Sequence, residues 1–345
     1  MSGRIECRHN PGASNMRHHF GDFLDRDGSY WTIVPNRERY AHRIDDVPEA
    51  SADIIITTIG KEDENWARVL AFPNLVELTL HEPTTEQLTA IGAMQSIKRL
   101  RITHARPQTL DFIRPMRGVE ELVLEYVSGF SDLSPLGALP NLRALHMENL
   151  RRVSSFSGLA GAASLKYLAI YGTTDWEQPI DDFEFLCGLP QLEVFALWQA
   201  KCRAPYPAML PAIHLRRLKK LRIHRSYLAT DEFALLEEAL SGVEGAAWGP
   251  FETVARSQIP LPADDARAGL SDDVIRANHP EVSLHYNGQR FIGDPASQWF
   301  EFTGRAAGRV KCSSPAAEAK CLQKSQLYDG MKQRARALVE RERAA

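Results

Sequence analysis

The chain has 345 residues, of which 44% are hydrophobic and 25% charged, with 41 Lys and Arg against 44 Asp and Glu. These ordinary proportions exclude a collagen, a disordered tail protein and a disulfide scaffold. A net charge of -3 exerts no global pull on nucleic acid or acidic membranes, and no apolar run is long enough to span a bilayer. Met1 to His19 carries Arg4, Arg8 and Arg17 and no apolar segment, so it does not read as a secretory signal. Five cysteines (Cys7, Cys187, Cys202, Cys312 and Cys321) without C-x-x-C spacing suggest free thiols in a reducing, cytoplasmic compartment. Cys187 follows the apolar Phe185 and Leu186, which predicts a small buried hydrophobe.

Residues 1–50 form an N-terminal cap region. Gly28 to Val34 reads as a strand covering the first unit of the periodic region at 51–250. Asp22, Asp25 and Asp27 stand before Gly28 as in a calcium loop, but Phe23 and Val34 would fall at ligand positions, which excludes that reading. Cys7, His9, His18 and His19 lack the spacing of a metal site, and no cofactor or metal is expected anywhere.

Residues 51–250 are periodic. The phrase L-x-x-L-x-L begins at Leu75, Ile97, Val119, Leu142, Leu165, Leu192 and Leu218, in steps of 22 to 27 residues. Degraded copies lie in Ile54–Ile59 and at Val243-Ala246-Trp248. Nine residues before six of these starts stand Leu88, Leu110, Leu133, Phe156, Phe183 and Met209, followed by apolar residues at intervals of three. That spacing predicts a short helical or 3-10 turn with one inward face. Each unit is thus a strand, a turn, a short helix and a return, and it buries its apolar side only when stacked on its neighbours.

The stretch Ser131 to Leu142, with joints such as Phe72-Pro73-Asn74-Leu75 and Leu189-Pro190-Gln191-Leu192, resembles the leucine-rich repeat family in its short bacterial, internalin-like form. The resemblance implies an α/β solenoid. A curved parallel sheet would line the concave face, short helical or 3-10 turns the convex face, and caps both ends. It also implies binding of other proteins on the concave face. One departure is plain. The asparagine usual at the ninth repeat position is replaced by Pro83, Ala105, Val127, Leu150, Thr173, Ala200 and Ser226. The turn groups must then pair with backbone or water.

Ile259 to Asp265 marks a break, so 251–280 reads as an exposed linker. Residues 281–345 read as a C-terminal cap module. Val282 to Ile292 forms a hairpin around Asn287-Gly288, and Trp299 to Phe302 is a third strand. A helix runs from Ser314-Pro315 to about Arg343, with Cys321, Leu322, Met331, Ala335, Leu338 and Val339 inward.

Alternation along each strand turns the third, fifth and seventh repeat positions to the concave face. There the early strands offer Arg99 and Arg101, and the middle ones Glu121, Glu125, His146 and Glu148. Then come Tyr167, Tyr171 and Trp198 around Ala169 and Ala196, and finally Lys220, Arg222 and, just beyond, Arg225. Tyr, Trp and Arg are frequent interface anchors, so these residues form the expected partner-binding set. From Val194 to Thr230 there are eight Lys or Arg and no acid, which predicts a basic surface for an acidic partner. Nucleic acid ranks behind protein as that partner, because no nucleic-acid motif accompanies the charge. His146 with Glu125 or Glu148 is also the arrangement a hydrolase or transferase would use, but no nucleophile or phosphate loop accompanies it. The expectation is a monomeric, non-enzymatic binding module.

Overall fold

A computed structural model describes residues 25–27, 30–32 and 42–344, apart from 286–287. Cys7, His9, His18, His19, Asp22 and Asn287 lie outside the described residues.

Nine strands form one sheet in which every strand is parallel to its neighbour. In chain order they are β3 (His42–Arg43), β4 (Ile56–Gly60), β5 (Glu77–His81), β6 (Arg99–Thr103), β7 (Glu121–Glu125), β8 (Ala144–Glu148), β9 (Tyr167–Tyr171), β11 (Val194–Trp198) and β13 (Lys220–Ile223). The sheet runs in this sequence order without a crossover. The register is that of the sequence repeat, so Leu78, Leu100, Leu122, Leu145, Leu168, Phe195 and Leu221 stand side by side. The degraded first copy is β4, and the degraded last copy makes a parallel bridge from Glu244 to Lys220.

On the convex side the returns are 3-10 turns such as Asp111–Ile113 and Ser157–Gly161, or the short helices α1 (Thr85–Ile91) and α2 (Ser134–Gly137). Thr84 and Gln87 cap α1 reciprocally, and the buried Gln87 amide also donates to the Gly60 carbonyl. Leu88, Leu110, Leu133, Phe156, Phe183 and Met209 are all buried and join the strand leucines in one continuous core. Burial of such side chains contributes roughly 1.5–3 kcal/mol each, as an upper bound. Cys187 departs from expectation. It is exposed, because in the tight turn Glu184–Gly188 only Phe185 and Leu186 face inward.

The turns work without an asparagine ladder. The ninth position is an apolar column instead, with Ala105, Val127, Leu150 and Ala200 buried. The eighth position carries the reversal: Glu82, His104, Tyr126, Asn149 and Gln199 all have positive φ, between 46° and 56°. The N–H groups of the first four, with that of Gly172, pair with the next strand. Glu82 donates to Thr103 O, His104 to Glu125 O, Tyr126 to Glu148 O, Asn149 to Tyr171 O and Gly172 to Trp198 O. In one turn a side chain helps: buried Gln178 accepts from Leu150 N–H and donates to Val153 O.

At the N-terminal end β3 pairs with β4, and Ile44 and Val47 are buried over the first repeat. The expected strand 28–34 is represented by β2 (Tyr30–Thr32), paired with β1 (Asp25–Asp27). β2 lies beside β9 and β11, in the later half of the solenoid. Two short convex strands, β10 (Gln178–Ile180) and β12 (Ala200–Cys202), pair in parallel.

The C-terminal region is more structured than a linker and a hairpin. β14 (Phe251–Ala255), within the expected linker, pairs with β18 (Gln298–Phe302), which pairs with β19 (Arg309–Lys311). β15 (Gln258–Pro260) and β16 (Ser283–Leu284) flank β17 (Arg290–Gly293). The hairpin therefore forms, but the third strand leaves it for a different sheet. The helix α4 (Asp272–Asn278) also lies in the expected linker. The final helix α5 (Ala317–Ala344) packs on α3 (Thr230–Ala239). Its inward stripe includes Tyr328, Ala335 and Val339, whereas Leu322, expected inward, is 59% exposed. The Tyr328 hydroxyl donates to Glu237 Oε1 (2.8 Å), which also accepts the N–H groups of Trp248 and Gly249.

Candidate functional site

Because the strands are in register, the concave side chains form columns. At the early end of the face the charges close on one another. Arg99 Nε lies 2.8 Å from Glu121, and Arg99 also approaches the buried Glu77 at 3.6 Å. Arg101 donates from Nε (2.7 Å) and Nη2 to the same oxygen, Oε2, of Glu125. These residues are where the sequence places them, but they are ion-paired within the molecule.

The middle of the face brings together the predicted Glu125, His146 and Glu148. Glu125 and Glu148 are opposite each other in the β7–β8 register. His146 precedes Glu148 by two residues and shares its face. His146 Nε2 lies 3.7 Å from Glu148 Oε2, and the Tyr171 ring meets the imidazole edge-on at 4.9 Å.

The aromatic zone is only partly a surface. Tyr167 is 0% exposed, packed with Val123, Ala144, Ala169, Val194 and Ala196 in a second small core on the concave side. Burial pushes its hydroxyl pKa well above the usual tyrosine range. Tyr167 is therefore a packing residue and not an accessible anchor. Trp198 is 37% exposed, and Tyr171, half-buried, lies 6.1 Å from it centroid to centroid.

The basic end departs further from expectation. Lys220 pairs with Glu244 at 2.6 Å, Lys219 with Glu193 at 2.7 Å and Arg203 with Asp181 at 2.9 Å. Arg222 is half-buried and also engaged. Arg225 is 6% exposed and holds the C-terminal sheet: it donates to Thr303 Oγ1 (2.8 Å), to Glu252 (2.7 Å) and to the Trp248 carbonyl. It is a staple between solenoid and C-terminal region, so it cannot also meet a partner. Stacking has placed a carboxylate from an adjacent repeat or from β14 beside Arg203, Lys219, Lys220 and Arg225, half of the eight cations of this run.

The alternation rule does not disclose a second surface. The left-handed eighth positions project their side chains along the edge where the strands end. His104 stacks on Tyr126 (centroids 4.9 Å apart, planes at 1°), and His81 meets His104 edge-on at 5.3 Å. Burial and the neighbouring His104 lower the His81 pKa. Tyr126 is 41% exposed. Beside these rings a cavity of about 680 Å³ is lined by Lys61, Arg106, Arg151 and Arg152 among others. All four are exposed. Arg151 also lies over the Trp176 ring at 5.3 Å. A large polar or aromatic residue just after most strands, with arginine two or three places beyond His104 and Asn149, is the signal that the sequence carries for this edge.

No protein-family model matches the sequence, and no curated protein does. Solved structures do. An internalin from Listeria monocytogenes is similar at 18% identity and a TM-score of 0.41, over 56% of this chain and 53% of its own. Internalin C2 from the same organism is similar at 20% identity and a TM-score of 0.37, over 49% and 71%. A leucine-rich-repeat protein of Leptospira interrogans is similar at 13% identity and a TM-score of 0.29, over 56% and 59%. The chain thus spans about half the length of the first of these. Among the described residues no helix is long and apolar enough to cross a membrane. The stacked L-x-x-L-x-L strands, in register across one parallel sheet and returned by 3-10 turns, make this chain a leucine-rich-repeat solenoid.

Proposed function

We propose that the protein is a non-enzymatic binding module, acting in the cytoplasm, that takes an acidic protein partner along its concave face and the adjoining strand-end edge. The observation that carries this reading is an asymmetry in how the charges are used. Arg99, Arg101 and half of the basic run are paired inside the molecule. Lys201, Arg216 and Arg217 of the run have no ion-pair partner among the described residues, and neither do Arg106 and Arg152, which differ in lying at the edge beside the ring cavity. These two stand next to the exposed aromatics Tyr126 and His104, and Trp198 offers a second aromatic farther along. Exposed rings beside unpaired cations combine an energetic anchor with electrostatic selection of an acidic partner. Four free thiols among the described residues suit a reducing compartment.

The test is quantitative capture from native lysate, followed by affinity measurement on the purified partner. Trp198→Ala and Tyr126→Ala should each weaken binding by about tenfold, the scale of one interface anchor. Arg106→Glu with Arg152→Glu should slow association and reduce its salt dependence. A specific partner that binds all these variants with unchanged affinity and rate would show that another face is used.

A further inference from the structure

We propose that Glu125, His146 and Glu148 form a divalent-metal site on the concave face, suited to zinc. Side chains two residues apart on a strand share a face, and the in-register neighbour adds a third. Here that geometry brings one donor atom from each residue to within 4.8 Å of the others.

The independent observation is the state of His146. It is only 6% exposed, yet neither ring nitrogen makes a hydrogen bond: Nδ1 has no partner, and Nε2 faces Glu148 at 3.7 Å, beyond hydrogen-bond reach. A buried ring nitrogen left unpaired, as Nδ1 is, is costly. A cation held between Nε2 and the carboxylates would satisfy the nitrogen that faces them.

The surroundings already orient one carboxylate. Arg101 donates from Nε and Nη2 to Glu125 Oε2, so Oε1 is the oxygen offered to a metal. Outer partners of this kind are what fix the ligands of built metal sites. Two carboxylates against one guanidinium leave a single negative charge, which a dication overcompensates modestly. One nitrogen and two oxygens, with a fourth position open, suit zinc. Bonds of about 2.0–2.2 Å require the donors to draw closer, and the half-buried Glu125 and Glu148 side chains can supply that movement.

The experiment uses the full chain, stripped with chelator, titrated with zinc chloride by calorimetry and with cobalt(II) by absorption. The expected result is one site per chain, with cobalt d–d bands and no thiolate-to-metal charge-transfer band. His146→Ala and Glu148→Gln should each weaken zinc binding by at least about tenfold, with circular dichroism unchanged. Glu148→Gln keeps the shape of a half-buried side chain, so it serves should His146→Ala fail to fold. Absence of any binding, binding unaltered in a folded variant, or a spectrum dominated by thiolate ligation would each overturn the site. Partner capture by the metal-free protein is read separately, so failure here leaves the binding-module reading standing, and the converse holds.

Discussion

At Glu232 a carboxylate sits in the convex layer and accepts the N–H groups of Ala208 (2.7 Å) and Met209 (3.0 Å). Burial outweighs those bonds and pushes its pKa from 4.5 up to about 7. The folded protein therefore keeps a proton there that the unfolded chain has released. The stabilisation from that proton is complete below pH 4.5 and is lost as pH rises to about 7. Its upper size is about 3 kcal/mol. Urea melts at about pH 5 and about pH 8 should show lower stability at the higher pH, and Glu232→Gln should flatten that difference. Equal pH slopes in the two proteins would contradict the assignment. Arg225 offers a second test at this scale. Arg225→Ala should cost about 2 kcal/mol, less than for a fully buried pair because Glu252 remains partly hydrated. Hydrogen exchange should rise in β14 and β18 first, since these strands lose their tie to the repeat.

Among elements, the strand-end turns mark the boundary between what sequence discloses and what it hides. The leucine register makes every strand of the solenoid legible, because buried positions repeat with the backbone. The turn is not legible, because the left-handed position holds Glu, His, Tyr, Asn and Gln, not the glycine that marks such a turn. A non-glycine residue there costs about 1 kcal/mol or more. Glu82→Gly should therefore be neutral or stabilising by up to about 1 kcal/mol in chemical denaturation, unlike glycine at an ordinary exposed site. A clear loss of stability would show that the Glu82 side chain outweighs its backbone strain. Helix α5 shows the complementary case. Its periodicity identifies Ala335 and Val339 as inward, yet Leu322 sits one place off the stripe that Tyr328 occupies. Tyr328 escapes the apolar pattern because its polar end needs the partner that Glu237 on α3 supplies, and no local pattern announces that contact. The paired carboxylates and histidine of the concave face are legible as neighbours, whereas the internal pairing of Arg99 and Arg101 and the burial of Tyr167 depend on packing across strands.

In the molecule as a whole, stacking rewrites charge. Residues more than twenty places apart become neighbours at strand spacing, so the acid-free run from Val194 to Thr230 acquires Glu193, Asp181, Glu244 and Glu252 as partners. Arg216 and Arg217 stay exposed and unpaired among the described residues, so salt-dependent binding of single-stranded or duplex nucleic acid to the Arg216–Arg225 surface should be weaker than its charge count suggests. A decline with salt as steep as a fully unpaired run would give would contradict that pairing. The C-terminal helix closes the solenoid by covering α3. Deleting α5 uncovers the apolar residues beneath Tyr328, Ala335 and Val339, so protection should be lost in α3 and β13 before the early repeats, as nearest-neighbour stability requires. Exchange measured by mass spectrometry distinguishes this from uniform destabilisation.

The row of residues at the strand ends has a consequence for how such a protein can change over time. Glu82, His104, Tyr126, Asn149 and Gly172 share one backbone role and little in size, charge or shape. The main-chain hydrogen bond each makes is indifferent to the side chain that accompanies it. The row therefore behaves as a margin on which recognition can be rewritten, one letter per repeat, while the leucine text beside it stays fixed. Divergence among chains with this backbone should collect there first, ahead of the columns that the ion pairs hold in mutual constraint.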